Sequence, residues 1–282
     1  MLRIKRFTPG RVVVFILLSF FAVTFLGGVV WMFGGSVKTD MQFYTDSILS
    51  FPKPIKIINY VDAFRVLREE QYDLFFMIIN STWLSIGSVV LVVFTNNVVA
   101  YTLARFKFPG RDLIYWTYFF TMMLPIVGAM PSALRMYKLL HIYNTPFFLV
   151  TKIMAGGSNL FVFYAMYNGV AFTYSEAAYI DGAGHFAVFF KVMLPQSVSI
   201  IIAIGVMTFI SVWNDYMTPL VYLKDWPTLA SGLYKLSVIA SRKWLDPYLL
   251  AGIIISSIPI IALFVAFQDT LLQINIGGGI KG

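Results

Sequence analysis

The sequence has no cysteine, only two histidines and little charge. Without cysteine there is no disulfide framework, no thiolate metal site and no cysteine nucleophile. Charged residues make up 12% of the 282 residues, about half the roughly 25% of a soluble domain. Hydrophobic residues make up 59%, and mean hydropathy is +0.79. Too little charge remains to coat a water-facing surface. No Gly-Lys dipeptide occurs, so a phosphate-binding loop of the form G-x-x-x-x-G-K-[ST] is excluded. If ATP powers this chain, another polypeptide binds it. The thirteen acids are spread over many segments and form no convincing His/Asp/Glu constellation, which argues against a membrane-bound enzyme.

What is present is apolar length. Six charge-free windows exceed 20 residues: 12–37, 74–104, 113–134, 153–175, 192–214 and 247–268. About 20 apolar residues make a helix long enough to cross about 30 Å of hydrocarbon. Lipid forces such a segment to satisfy its backbone internally. The expectation is therefore an all-α membrane protein, one transmembrane domain over 1–282, with spans near 12–34, 76–104, 113–134, 153–173, 195–214 and 247–268. The first window follows a basic tail, Arg3, Lys5, Arg6 and Arg11, as in a signal peptide. Its apolar run is too long for that, and no small-residue cleavage site stands out after Gly35, so it reads as a retained span. The 27 Phe and 16 Tyr suit bilayer interfaces. The net charge of +8 lies scattered in loops, where it serves lipid contact and orientation rather than nucleic acid. With both termini in the cytoplasm, the inside segments hold nine Lys/Arg and the outside loops twelve. The bare count opposes that choice. The first helix usually dominates, however, and its basic tail has no acid, so both termini are placed inside.

No window holds an ionisable group, and His141 and His185 fall in loops. Proton-coupled carriers usually keep such a group within a span, so the driving energy is expected from elsewhere. The segment 175–195, between the fourth and fifth windows, is the place to look. Ser175 to Ile180 favours a short helix, and Asp181-Gly182-Ala183-Gly184 breaks it. Phe186, Val188, Phe189 and Phe190 follow as an apolar surface, and Pro195 suits a first helical turn. The expectation is two short helical pieces with a bend, at the membrane face, able to dock in a partner's groove.

This segment resembles the signature E-A-A-x3-G-x9-I-x-L-P of permease subunits of bacterial binding-protein-dependent ABC importers. It is carried by Glu176, Ala177, Ala178, Gly182, Val192 (in place of Ile), Leu194 and Pro195. Asp181-Gly182-Ala183 is similar to the carbohydrate-uptake branch, the relatives of the maltose transporter's smaller permease. Further similar points are Asn59-Tyr60, Asn80-Ser81, Ala104–Arg111, Leu124-Pro125, Asn144-Thr145, Trp213-Asn214-Asp215 with Pro219, and Gly279–Gly282. Ala171 and Ser199 stand where the family usually has proline.

The resemblance implies a coupling-helix loop whose Glu176 pairs with a basic residue of an ATPase and whose Gly182 makes the bend. It implies a second homologous permease, a cytoplasmic ATPase dimer that binds the ATP and Mg, an extracellular or periplasmic solute-binding protein, and a sugar or oligosaccharide as cargo. The location would be a bacterial inner membrane. Pathway candidates are Asn96, Asn97, Trp213 and Asn214. The blander roles are interhelical hydrogen bonding for the first two and interfacial anchoring for Trp213. The alternatives are an importer for a non-sugar solute, or an ion-driven carrier, which calls for an intramembrane carboxylate or discontinuous helices.

Overall fold

The computed structural model describes residues 9–47, 50–69, 72–124, 128–153 and 157–277. Among them every regular element is helical. The elements are α1 (Pro9–Ser36), α2 (Asp40–Thr45), α3 (Asn59–Glu69), α4 (Leu74–Arg105), α5 (Arg111–Met123), α6 (Met130–Leu139), α7 (Gly157–Gly169) and α8 (Thr173–Ile180). They continue with α9 (His185–Val188), α10 (Leu194–Gln196), α11 (Val198–Trp213), α12 (Met217–Tyr222), α13 (Leu229–Lys243) and α14 (Asp246–Gly277). A 3₁₀ segment, Pro146–Lys152, precedes α7, and a π-helical turn, Phe189–Met193, joins α9 to α10.

Three helices are long and apolar enough to cross a membrane alone: Val12–Ser36, Leu74–Arg105 and Asp246–Leu271. Two more qualify only as broken pairs, Pro146–Lys152 with α7, and His185–Gln196 with α11. The window 113–134 is not one helix. Its first piece, α5, has 13 residues, about 20 Å at 1.5 Å per residue, short of the ~30 Å core. Leu124 is extended (φ −74°, ψ 119°), as the residue before a proline tends to be. Gly128 adopts φ +74° before α6 begins. The apolar run counts hydrophobicity and overlooks the backbone angles that end α5 and precede α6. Pro125 itself, like the basic residues Arg3, Lys5 and Arg6 and the Gly279–Gly282 match, lies outside the described residues.

The chain forms two compact units. The first holds Met1–Asp73 and Leu233–Ser257. Its α1 is apolar on every side, and the most apolar window buries none of its residues. Such a helix belongs in lipid or against a partner helix. The C-terminal carbonyls of α1 have no partner within the helix. Asn59 supplies one: its Nδ2 donates to the carbonyls of Ser36 and Lys38, both at 2.8 Å. Tyr60 shares a 2.9 Å hydrogen bond with the Ser36 hydroxyl. The Asn-Tyr pair thus ties α3 to the end of α1. Asn59 is fully buried, so Asn59→Leu strands two carbonyls. It is expected to destabilise by about 1–2 kcal/mol, read as a lower melting temperature in detergent.

The second unit holds Leu74–Gly232 and Ile258–Gly282. Its α4 runs between α7 and α11, and the core gathers there: Tyr101, Leu103, Leu160, Phe163, Tyr167 and Met193 are all buried. Close approach needs small residues. A Cβ on Gly87 would meet Leu149 of the 3₁₀ segment at 2.6 Å, and one on Gly205 would touch Val89 at 3.4 Å. Arg111 donates through Nε to the Leu103 carbonyl at 2.6 Å, closing the end of α4, and through a terminal nitrogen to the Tyr164 hydroxyl at 3.2 Å. Gly110, at φ +87°, turns the chain into α5.

Candidate functional site

The segment from α8 to α11 folds by local rules that its residues state plainly. In α8, Glu176 lies in the first turn, where a carboxylate meets the positive end of the helix. The helix ends after Ile180, and Gly182 takes φ +82°, a left-handed angle that suits glycine. The Gly182 N–H donates to the Tyr179 carbonyl at 3.0 Å, and the Ala183 N–H to the Ala178 carbonyl at 2.9 Å. This pair of bonds is the Schellman cap, which usually carries an apolar contact between the same two outer positions. Here those positions are Ala178 and Ala183, both packed against the core. So Ala178, Gly182 and Ala183 build the turn, whereas Glu176, Ala177 and Asp181 stay exposed.

Beyond the turn, α9 begins at His185, whose Nδ1 shares a 2.9 Å hydrogen bond with the Tyr179 hydroxyl. Val188, Phe189 and Met193 are buried, and Leu194 is half-buried against the same core. Pro195 is exposed and has no N–H for the carbonyl four residues back. The preceding turn widens to the π form, a usual answer to an interrupted ladder. At Ser197 the axis swings by 73° into α11.

The segment therefore has two faces. Its inner face sits on α4, where Phe189 packs on Tyr101 at 4.8 Å between ring centroids, and Tyr101 on Tyr167 at 5.3 Å. Arg105 at the end of α4 donates to the Val170 carbonyl at 2.7 Å and lies over the Phe172 ring. Its outer face carries Glu176, Ile180 at 86% exposure and Phe186 at 82%. The two ion pairs among the described residues, Arg65–Asp62 and Arg68–Asp73, do not involve Glu176. That face sets a carboxylate beside uncovered apolar side chains.

The pathway candidates lie apart. Asn97 is buried and joins three helices: its Oδ1 accepts from the Tyr167 hydroxyl at 2.6 Å, and its Nδ2 donates to Ser197 at 3.3 Å. Asn96, also buried, donates back to the Val92 carbonyl at 2.7 Å. Trp213 is buried and stacked on Phe209 at 5.3 Å. Asn214, exposed, donates to the Ile210 carbonyl and closes α11. Among the described residues no group of three or more metal-capable side chains occurs.

Tyr101 is the residue that sequence reasoning passed over, and Arg105 is the one to which it gave another role. Arg105 and Arg111 read as bases facing lipid headgroups. In the fold both donate to backbone carbonyls. The available signal was their position flanking the Pro-Gly break, where unpaired helix carbonyls accumulate.

Three comparisons bear on this arrangement. Residues 96–273 match the family model described as "Binding-protein-dependent transport system inner membrane component". A probable ABC transporter permease protein, YurM, of Bacillus subtilis is 28% identical over 282 residues, 99% of this chain and 91% of the relative. The arabinooligosaccharides transport system permease protein AraQ of Halalkalibacterium halodurans is 31% identical over 211 residues, 72% of this chain and 73% of the relative. A chain in the crystal structure of a bacterial ABC transporter that imports the acidic polysaccharide alginate superposes with a TM-score of 0.78. That alignment covers 94% of this chain and 99% of the other at 20% identity, and it bears on the fold alone.

Proposed function

The chain belongs to the family of binding-protein-dependent transport system inner membrane components, and from that membership we propose that it is the transmembrane subunit of an ATP-driven sugar importer. It pairs with a second, homologous permease to enclose one translocation path. An extracellular or periplasmic binding protein delivers a sugar or oligosaccharide to that path. The arabinooligosaccharide permease among the relatives supports the cargo class. A separate cytoplasmic ATPase dimer binds ATP and Mg. Both termini and the α8–α9 segment face the cytoplasm, and α5 with α6 makes the third of six passages.

The observation that carries the reading is the two-faced segment Glu176–Pro195. Its outer face, with Glu176, Ile180 and Phe186, is free to enter a groove of the ATPase. Its inner face is fastened to α4 through Tyr101 and Arg105. Closure of the ATPase dimer would move the segment, and the segment would carry α4 with it. The protein supplies coupling between two states and no bond chemistry. The broken fourth passage meets one expectation of an ion-driven carrier. Family membership outweighs it.

Affinity purification in mild detergent tests the assembly, with one ATPase and a second permease expected to be recovered. Within that complex Glu176→Ala is expected to lower substrate-stimulated ATP hydrolysis about tenfold, as loss of one partner of an interfacial charge pair does. Unchanged stimulation would remove Glu176 from the coupling role.

A further inference from the structure

The six windows were free of charge because charge defined their ends, and Lys152 sits one residue before the fourth. The fold carries this lysine to an unexpected level. The 3₁₀ segment that ends in Lys152 packs along α4, with Leu149 against Gly87. Lys152 itself lines a cleft of about 260 Å³ together with Val92, Asn159, Thr208, Ser211 and Val212. Val92 lies 18 residues from the start of α4 and 13 from its end. At 1.5 Å per residue that is about 27 Å and about 20 Å, so the cleft is level with the middle of a membrane-crossing helix.

An ammonium at mid-membrane is costly, and where it occurs it faces a cavity and marks a functional site. The groups around this one favour an anion. Asn159, Thr208 and Ser211 offer amide and hydroxyl donors beside the Lys152 charge. One opposing charge, Asp215, acts on Lys152 through space. Neither of the ion pairs among the described residues includes Lys152. The Asp215 carboxylate instead accepts from the Thr218 N–H at 3.0 Å. The cleft falls below the roughly 300–1,000 Å³ of a complete small-molecule pocket. It fits one charged group on a solute, not a whole oligosaccharide.

We infer that the cleft formed by Lys152, Asn159, Thr208 and Ser211 is a pathway subsite for the anionic group of a sugar acid or sugar phosphate. The inference rests on the importer reading above and narrows its cargo. A neutral sugar gains nothing from the ammonium, whereas a carboxylate or phosphate oxygen gains a charge-assisted hydrogen bond.

The absence of cysteine makes the test direct. Ser211→Cys is introduced into the assembled transporter in native membranes. Its rates with sulfonatoethyl and trimethylammonioethyl methanethiosulfonate are compared, each divided by the rate with free mercaptoethanol. The ratio is expected to favour the anionic reagent by about tenfold, the scale of local charge focusing in a low-dielectric cleft. Lys152→Met should abolish the preference, and Lys152→Arg, which keeps the charge, should retain it. Galacturonate or glucose 6-phosphate should slow the reaction, and galactose or glucose should not. Protection that needs anionic lipid and ignores both soluble acids would assign the cleft to headgroups and overturn the inference. So would an unreactive thiol, or a ratio that Lys152→Met leaves unchanged. If the ATPase fails to co-purify, the importer reading falls. If it co-purifies and the thiol shows no charge preference, only this inference falls.

Discussion

Gly182→Pro is expected to yield a subunit that still reaches the membrane but recovers less than a tenth of the normal amount of ATPase on purification. Two constraints act at this one residue. The native backbone sits at φ +82°, whereas proline is held near −65°. The Gly182 N–H also closes the α8 cap on the Tyr179 carbonyl, and proline has no N–H to donate. Breaking a helix with proline costs about 3 kcal/mol or more, and the next cap bond, Ala183 to Ala178, depends on the same turn. A Cβ at this position would meet nothing within 4 Å, so the added side chain creates no clash of its own. Gly182→Ala provides the graded control. It keeps the N–H and bears only the left-handed strain of about 1–2 kcal/mol, so ATPase recovery should fall less. Equal recovery from proline, alanine and glycine would show that the turn does not position the docking face.

The long helices were legible in the sequence because one physical quantity decides them. α1, α4 and α14 are continuous apolar runs without a break strong enough to stop them, even with Pro259 inside α14. The window 113–134 is also apolar and has a different outcome, because Leu124 and Gly128 take backbone angles that hydropathy does not record. Segment 175–195 was legible as a bent helical pair, since Asp-Gly-Ala-Gly can hardly continue a helix. Which of its residues turn inward was not legible. Ala177 and Ala178 are identical in composition, yet only Ala178 packs inward at the cap with Ala183. That difference is fixed by the helical phase relative to Gly182, a property of three dimensions. Lys152 was hidden for another reason. Sequence proximity placed it in an outside loop, and the packing of its segment along α4 brings it to mid-helix.

Tyr101→Ala is expected to be the most damaging single substitution in the second unit. Tyr101 is 5% exposed, and its ring touches Phe106, Tyr167 and Phe189 at centroid distances of 5.7, 5.3 and 4.8 Å. Truncating a buried aromatic residue to alanine costs about 3–5 kcal/mol, and here the cavity opens between α4 and the seat of the docking segment. Two measurements should therefore move together. The melting temperature in detergent should fall, and ATP hydrolysis should lose its response to delivered substrate even in complexes that still hold the ATPase. Tyr101→Phe keeps the ring and its three contacts, so it should retain most of both. Arg105→Met, which loses the bond to the Val170 carbonyl and keeps the aromatic seat, should fall between them. That ordering follows from where each group stands: Tyr101 supports the buried middle of the segment, and Arg105 holds the chain just ahead of α8. In the proposed coupling, motion imposed at Glu176 reaches α4 through such supports. A Tyr101→Ala complex whose ATP hydrolysis responded normally to substrate would mean that the energy enters α4 by another route.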